Sequence, residues 1–326
     1  MTLDDELMAR AVAVAERARV DAPPNPWVGA LVVADGTVLA EGATQAPGGH
    51  HAEIEALAAA GERARGATLV VTLEPCDHVG RTGACTEAIL AAGISRVVVG
   101  IVDPDEKVAG RGIEHLRAGG VDVSLGAGAP LVDEQLAPYL WHRRTGRPYV
   151  VVKVAATLDG VIAMADGSSQ WITGEAARAD AHVLRAQSQA IIVGAATVRS
   201  DDPRLTARVG DRVIEPLRVV LGSAPPTARV HPCLEYFGEL AGLVDELGSR
   251  GVLQALVEGG AAVTSSFFAA NLVNRVAWYV APAFAGARDT RAALADLSTP
   301  SIDALRRGRM VGVRRIGEDV RLDVEV

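Results

Sequence analysis

The stretch TLVVTLEPCDHVGRTGACTEAILAAG (68–93) reads as a strand, a polar loop and a helix in succession. Thr68 to Leu73 is an apolar, β-branched run, and the helix from Thr86 to Ala92 stops at Gly93. Arg96 to Val102 follows as another apolar strand, Gly112 to Ala118 as a helix, and Val121 to Leu125 as a strand. Units that alternate in this way predict an α/β domain, a sheet covered by helices. Upstream, Thr2 to Arg19 reads as an amphipathic helix, with Leu7, Ala11, Val14 and Ala18 on one face and Thr2 and Asp5 placed as a capping box. APPNPWVG (22–29) breaks that helix, and ALVVADGTVLAEG (30–42) is a hairpin turning at Asp35-Gly36. His51 to Arg63 is the next helix.

Downstream, HRRTGRP (142–148) is basic, contains Gly and Pro, and reads as a linker. It divides the chain into domains 1–145 and 146–326, as a length of 326 residues suggests at roughly 150 residues per domain. The second half alternates again. Strands are expected at 149–155, 189–194, 217–221, 252–257, 275–281, 309–316 and 319–325, and helices at 174–187, 239–249 and 261–270.

Composition excludes several classes of function. A net charge of −8 argues against a nucleic-acid or anionic-membrane partner. Aromatics at 4% leave little for base stacking. With 49% apolar and 22% charged residues the chain is not disordered. No secretory signal and no membrane-spanning run is evident. The three cysteines, Cys76, Cys85 and Cys233, do not form a disulfide framework. Together these features place the protein in the cytoplasm.

Chemistry gathers around the opening stretch. His51 and Glu53 stand at the start of one helix, Cys76 at the end of a strand, and Cys85 at the start of the next helix. One imidazole and two thiolates make a three-ligand zinc set, which leaves a fourth position for water and lowers that water's pKa. Glu53 is placed to move protons beside it. Zinc nucleobase deaminases share an H-x-E…P-C-x-x-C signature. Here Cys85 lies nine positions beyond Cys76, with the polar stretch DHVGRTGA (77–84) between them. Cys233 reads as structural. In the second half VEGG (257–260) follows a strand and precedes a helix, so its glycines bring backbone N–H groups close to a phosphate. Arg185 and Arg208 are suited to grip a sugar phosphate bidentately. No G-x-G-x-x-G fingerprint follows a first strand there.

Taken together, PNPWVGALVV (24–33), HAEIEAL (51–57), TLEPCDHVGRTGAC (72–85), DPDEKVAGRG (103–112), RTGRPY (144–149), ATLDG (156–160), SSQWIT (168–173), LRAQSQAIIVGAATVRSDDPRLTAR (184–208), VEGGAAV (257–263) and YVAPAFAG (279–286) resemble the bifunctional deaminase–reductases of riboflavin biosynthesis along essentially the whole chain. The long Cys76–Cys85 spacing is itself a mark of that family.

The resemblance implies a cytidine-deaminase-like αβα domain followed by a dihydrofolate-reductase-like α/β domain. The first would remove the 2-amino group of 2,5-diamino-6-ribosylamino-4(3H)-pyrimidinone 5′-phosphate. The second would reduce the ribosyl group of the product to ribityl with NADPH. His51, Cys76 and Cys85 would bind Zn2+, with Glu53 as proton shuttle. Asn25 would contact the pyrimidine and Arg81 the substrate phosphate. In the reductase, Lys153 is a catalytic candidate, and with Asp159 it belongs to a segment lining the cleft. Ser169, Arg185, Leu205, Arg208 and Glu258 would meet substrate. Ala155, Trp171, Thr197, Asp201, Ser223, Gly259 and Gly260 would meet the cofactor. The partner is a small phosphorylated pyrimidine, and the protein is expected to form a homo-oligomer, a dimer.

The sequence departs from the family pattern at several positions. Thr44 stands where many relatives have His, Asp77 and Thr157 where they have Ser, and Gly83-Ala84 where they have Pro-Pro; Glu55 is an added carboxylate. Ser223 to Gly251 is short, which predicts a trimmed outer strand–helix unit. An alternative therefore stays open: a zinc deaminase whose reductase half is degenerate or repurposed in a related pathway.

Overall fold

The computed structural model describes residues 2–77, 83–105, 108–286, 289–295, 297 and 299–326. The chain divides into two compact units, Met1–Gly146 and Arg147–Val326. Among the described residues no helix is long and apolar enough to cross a membrane.

The first unit contains α1 (Leu3–Ala15), β1 (Gly29–Ala34), β2 (Thr37–Ala43), α2 (Ala52–Ala60), β3 (Thr68–Leu73), α3 (Cys85–Ala91), β4 (Arg96–Ile101), α4 (Arg111–Ala118), β5 (Asp122–Leu125) and α5 (Ala129–Thr145). Its sheet runs β2-β1-β3-β4-β5. β1 is antiparallel to both neighbours, and β3, β4 and β5 are parallel because helices connect them. The capping box at Thr2 and Asp5 is formed: each backbone N–H is taken by the other side chain, at 2.8 and 3.2 Å. Asp35 and Gly36 both have positive φ, as a tight hairpin turn requires. Gly42 on β2 lets the start of α2 lie directly on the sheet, because a Cβ there would stand 2.2 Å from the carbonyl oxygen of Ala52.

The segment read as a linker is helical as far as Thr145, and the division between the two compact units falls within it, after Gly146. α5 continues through Thr145, so the basic run 142–144 is its last turn, where cations complement the helix dipole, and Gly146 closes it with a left-handed φ. Pro138 within the helix hides its apolar stripe of Val132, Leu136, Tyr139 and Leu140. Trp27 and Gln135 anchor α5 reciprocally, each side chain donating to the other's backbone carbonyl, at 3.2 and 3.1 Å.

The second unit contains β6 (Tyr149–Thr157), β7 (Val161–Ala163), α6 (Glu175–Ala186), β8 (Ala190–Gly194), α7 (Ala195–Asp201), β9 (Ala207–Val209), β10 (Arg212–Ile214), β11 (Leu217–Leu221), β12 (Leu234–Tyr236), α8 (Leu240–Ser249), β13 (Gln254–Val257), α9 (Ala261–Ala269), β14 (Arg275–Ala281), β15 (Arg291–Ala292), β16 (Arg309–Ile316) and β17 (Asp319–Glu325). Its main sheet runs β12-β11-β8-β13-β6-β14-β17-β16. Every pair is parallel up to β14, and β17 and β16 are antiparallel additions. Val150, Val152, Ile192, Val219, Leu243, Ala255, Val257 and Phe267 pack into one core on this sheet. The outer strand–helix unit is present: β12 is cut to three residues while α8 keeps ten. α7 has no expected counterpart, being a seven-residue helix immediately after β8.

Candidate functional sites

In the first unit, the N-termini of two helices and the end of one strand converge. His51 is the N-cap of α2, Cys85 is the first residue of α3, and Cys76 lies just after β3. His51 Nδ1 is 3.5 Å from Cys76 Sγ and 3.3 Å from Cys85 Sγ, and the three donor atoms lie within 4.8 Å of one another. Cys85 is buried, whereas His51 and Cys76 are half-buried. A hydrogen bond from Cys85, with another from His51, holds the Cys76 thiol well below its ordinary pKa; the anion so favoured pushes Cys85 up. Two sulfurs competing for protons beside an imidazole are a donor set that a zinc ion fits, because its charge replaces the shared proton. Glu53, two residues along α2, is only 4% exposed, and burial together with the negative Cys76 pushes its pKa up to about 7.

The cavity at this site has a volume of about 190 Å³ and is lined by His51, Glu53, Cys76, Asn25 and Thr44. Glu74, Asp103, Tyr139 and Arg143 complete its wall, and sequence reasoning gave them no role. Buried Glu74 accepts from the backbone N–H groups of Gly110, Gly112, Ile113 and Asp103 at 2.9–3.3 Å, fixing the start of α4 against the loop that carries Cys76. Gly112 permits this, since a Cβ there would stand 2.0 Å from the Pro75 carbonyl oxygen. Tyr139 donates to Asp103 (3.1 Å), and Arg143 lies 5.0 Å from the Tyr139 ring centre. A lone carboxylate in the apolar run before Pro-Cys was the available signal for Glu74; Tyr139 and Arg143 depend on α5.

The family departures are accommodated locally. The Thr44 hydroxyl accepts from Val28 N–H at 3.0 Å. Asp77 accepts from Thr86 Oγ1 at 2.7 Å and pairs with His115. Glu55 pairs with His50 at 2.8 Å. Arg81 lies outside the described residues.

The second unit holds a larger cleft, about 720 Å³. Lys153, Ala155, Ser169, Trp171, Arg185, Thr197, Asp201, Leu205, Arg208, Glu258, Gly259 and Gly260 all line it. They come from β6, the 167–173 loop, α6, α7, β9 and the loop before it, and the β13–α9 turn. Ser223 is exposed and does not line the cleft. Asp159 does not line it either: it accepts from Thr157 Oγ1 (2.6 Å) and from the N–H groups of Ala285 and Gly286, and so pins the loop after β14.

Arg185 is not free to hold a phosphate as a fork. Its Nε and Nη2 bind the Glu258 carboxylate at 2.7 and 2.6 Å. Burial works to raise Glu258, but the Arg185 charge and hydrogen bonds override it and hold the carboxyl below its ordinary range. Lys153 is lowered by burial and by Arg185, with Glu258 pulling the other way. The Arg208 guanidinium lies 3.1 Å from His182 Nε2. Trp171 is 70% exposed, and the Arg178 guanidinium stands 4.7 Å from its ring centre. Gly260 caps α9 without a side-chain hydrogen bond, so the first N–H groups of that helix stay available to an anion. Size, an open helix N-terminus, and Arg204, Arg229 and Arg291 on the wall together fit a large anionic cofactor such as NADPH.

Comparison with known proteins agrees with both sites. Residues 1–101 match the cytidine and deoxycytidylate deaminase zinc-binding region, and residues 148–322 match the RibD C-terminal domain. The riboflavin biosynthesis protein RibD of Chlamydia trachomatis serovar D is 43% identical over 316 residues, covering 86% of this chain and 84% of the relative. The Escherichia coli K12 protein of the same name is 36% identical, with 98% of each chain covered. Among solved structures, form 1 of Acinetobacter baumannii RibD superposes with a TM-score of 0.91 at 35% identity, over 99% of this chain and 98% of that one. A diaminohydroxyphosphoribosylaminopyrimidine deaminase/5-amino-6-(5-phosphoribosylamino)uracil reductase from Thermotoga maritima gives 0.91 at 31%, over the same shares.

Proposed function

The chain belongs to the RibD family of riboflavin biosynthesis proteins, and from that premise we propose which of its residues carry each of two reactions. It is a bifunctional enzyme, a zinc-dependent deaminase followed by an NADPH-dependent reductase. The deaminase acts on 2,5-diamino-6-ribosylamino-4(3H)-pyrimidinone 5′-phosphate, and the reductase converts the ribosyl group of 5-amino-6-(5-phosphoribosylamino)uracil to ribityl. The reading of a degenerate reductase half is not favoured, since the C-terminal family match runs from 148 to 322.

For the deaminase, one observation carries the assignment: the buried Glu53 carboxyl stands two residues from one of three clustered metal donors and lines the same cavity as His51 and Cys76. His51, Cys76 and Cys85 would hold zinc, which supplies a Lewis acid that lowers the pKa of bound water. Glu53 then takes a proton on its carboxylate and delivers it to the departing amine. Asn25 orients the pyrimidine, and Glu74 fixes the α4 start against the loop that carries Cys76.

For the reductase, NADPH supplies the hydride. Gly259, Gly260 and the α9 N-terminus meet its phosphates, with Ala155, Trp171, Thr197 and Asp201 along the cleft. Arg185 and Glu258 act as a paired unit whose remaining acceptor positions orient the substrate's sugar, while Lys153 donates from the floor. Ser169, Leu205 and Arg208 complete the substrate wall. The free cysteines suit the reducing cytoplasm. The exposed edge strand β16, with Met310 and Val313 uncovered, supports pairing into a dimer; a monomer by sedimentation at assay concentration would remove that proposal.

The decisive experiment supplies the diamino substrate to one metal-quantified preparation, with and without NADPH. Ammonia in both samples and nicotinamide oxidation in the second are expected. Ammonia without oxidation would overturn the reductase assignments, and neither signal with zinc bound would overturn both sets.

A further inference from the structure

Away from both pockets, a third group of metal-type donors lies where the chain enters β12. His231 and Cys233 flank the bend at Pro232, and Glu235 follows on β12. Their donor atoms lie within 4.8 Å of one another, and His231 Nδ1 is 3.4 Å from Cys233 Sγ. The imidazole is already oriented. Its Nε2 lies 3.0 Å from the Pro225 carbonyl oxygen, which can only accept, so Nε2 carries a proton and Nδ1 is the ring atom aimed at the sulfur. Metal-binding imidazoles are commonly held in this way, by a carbonyl on the far nitrogen. Glu235 Oε1 accepts from Ala224 N–H at 2.8 Å, which leaves Oε2 as a donor.

We propose that His231, Cys233 and Glu235 form a second metal site, for a borderline divalent cation of the zinc type, which pins the 222–231 loop beside the reductase cleft. One imidazole, one thiolate and one carboxylate suit zinc; magnesium and calcium require all-oxygen shells. Two of the three side chains already hold the loop, at Ala224 and Pro225. The same loop carries Arg229, whose backbone N–H donates to Asp202 at 2.7 Å; both residues line the cleft. His231 and Glu235 are exposed and only one sulfur is present, so this site releases metal before the two-sulfur set of His51, Cys76 and Cys85 does.

The test uses the full-length protein, dialysed against zinc chloride and freed of excess metal. Metal content is measured together with amide hydrogen exchange over 224–230. Two zinc ions per chain are expected in the native protein. One is expected in Cys233→Ser and in His231→Asn, with deamination and NADPH oxidation retained, which shows that both variants are folded. Exchange in the loop should slow on filling in the native protein and not in either variant. One zinc per chain in the native protein, or a second that survives both substitutions, overturns the site. A second zinc that leaves loop exchange unchanged overturns the pinning.

Discussion

The deaminase cavity and the reductase cleft are built in opposite ways. The first concentrates its chemistry: three metal donors and the Glu53 carboxyl cluster at a cavity of about 190 Å³, on the starts of two helices and just past the end of one strand. The second spreads its lining over about 720 Å³ and many separate stretches of chain from β6 to Ala293, and the Arg185–Glu258 pair binds two of its charges to each other. A concentrated site fails at single residues, whereas a spread site is bounded by how well its pairs are kept. The difference also sets how the two units respond to substitution.

The largest expected effect tests the concentrated site. Glu53→Gln removes the proton carrier and no metal donor, so zinc content should be retained while deamination falls by about 10²- to 10⁴-fold. NADPH oxidation on the deaminated intermediate should not change. Deamination near the native rate would assign the proton work to another group. In the cleft, Arg185→Met leaves the Glu258 carboxylate buried without its partner. Denaturant unfolding should show a loss of about 3 kcal/mol, the low end for a broken buried pair because the Arg185 side chain is 22% exposed. Arg185 holds Glu258 below its ordinary range, so this stabilisation is present above the ordinary Glu pKa and fades as pH falls through the lowered one. The gap between variant and native protein should therefore narrow toward acid; a gap that widens would mean Glu258 is not the charge being held.

The same contrast governs what the sequence reveals. His51-Ala52-Glu53 and Pro75-Cys76 are legible because a helix start and a strand end fix side-chain direction within a few residues. The hairpin at Asp35-Gly36 and the cap at Thr2 are legible for the same local reason. α5 is not legible because Pro138 reads as a helix breaker although the apolar spacing continues past it, and Tyr139 and Arg143, which line the deaminase cavity, depend on that helix. Arg185 was misread as a phosphate fork because its partner, Glu258, lies 73 residues away, a pairing that no local pattern encodes. The short β12 and α7 were likewise set by their packing on β11 and β8 rather than by their own pattern.

Lys153→Met probes the spread site with less disturbance, because the replacement keeps the bulk of the stem and removes the ammonium. Loss of one donor to bound substrate should lower reductase kcat/KM about tenfold, the equivalent of roughly 1.4 kcal/mol. Deamination should stay intact. An unchanged reductase would make Lys153 part of the cleft floor alone.

The smallest effect returns to the first cavity, at a residue that lines it and takes no part in the proposed proton chemistry. Thr44 is buried, and its hydroxyl accepts the Val28 N–H at the entry to β1. Thr44→Val keeps the shape and removes that acceptor, so thermal unfolding of the full chain should report a loss of about 1 kcal/mol. Deaminase kcat should hold, because the zinc donors and Glu53 stand on other elements. A fall in kcat approaching that of Glu53→Gln would place Thr44 within the reacting group of the cavity and make the concentrated site larger than four residues.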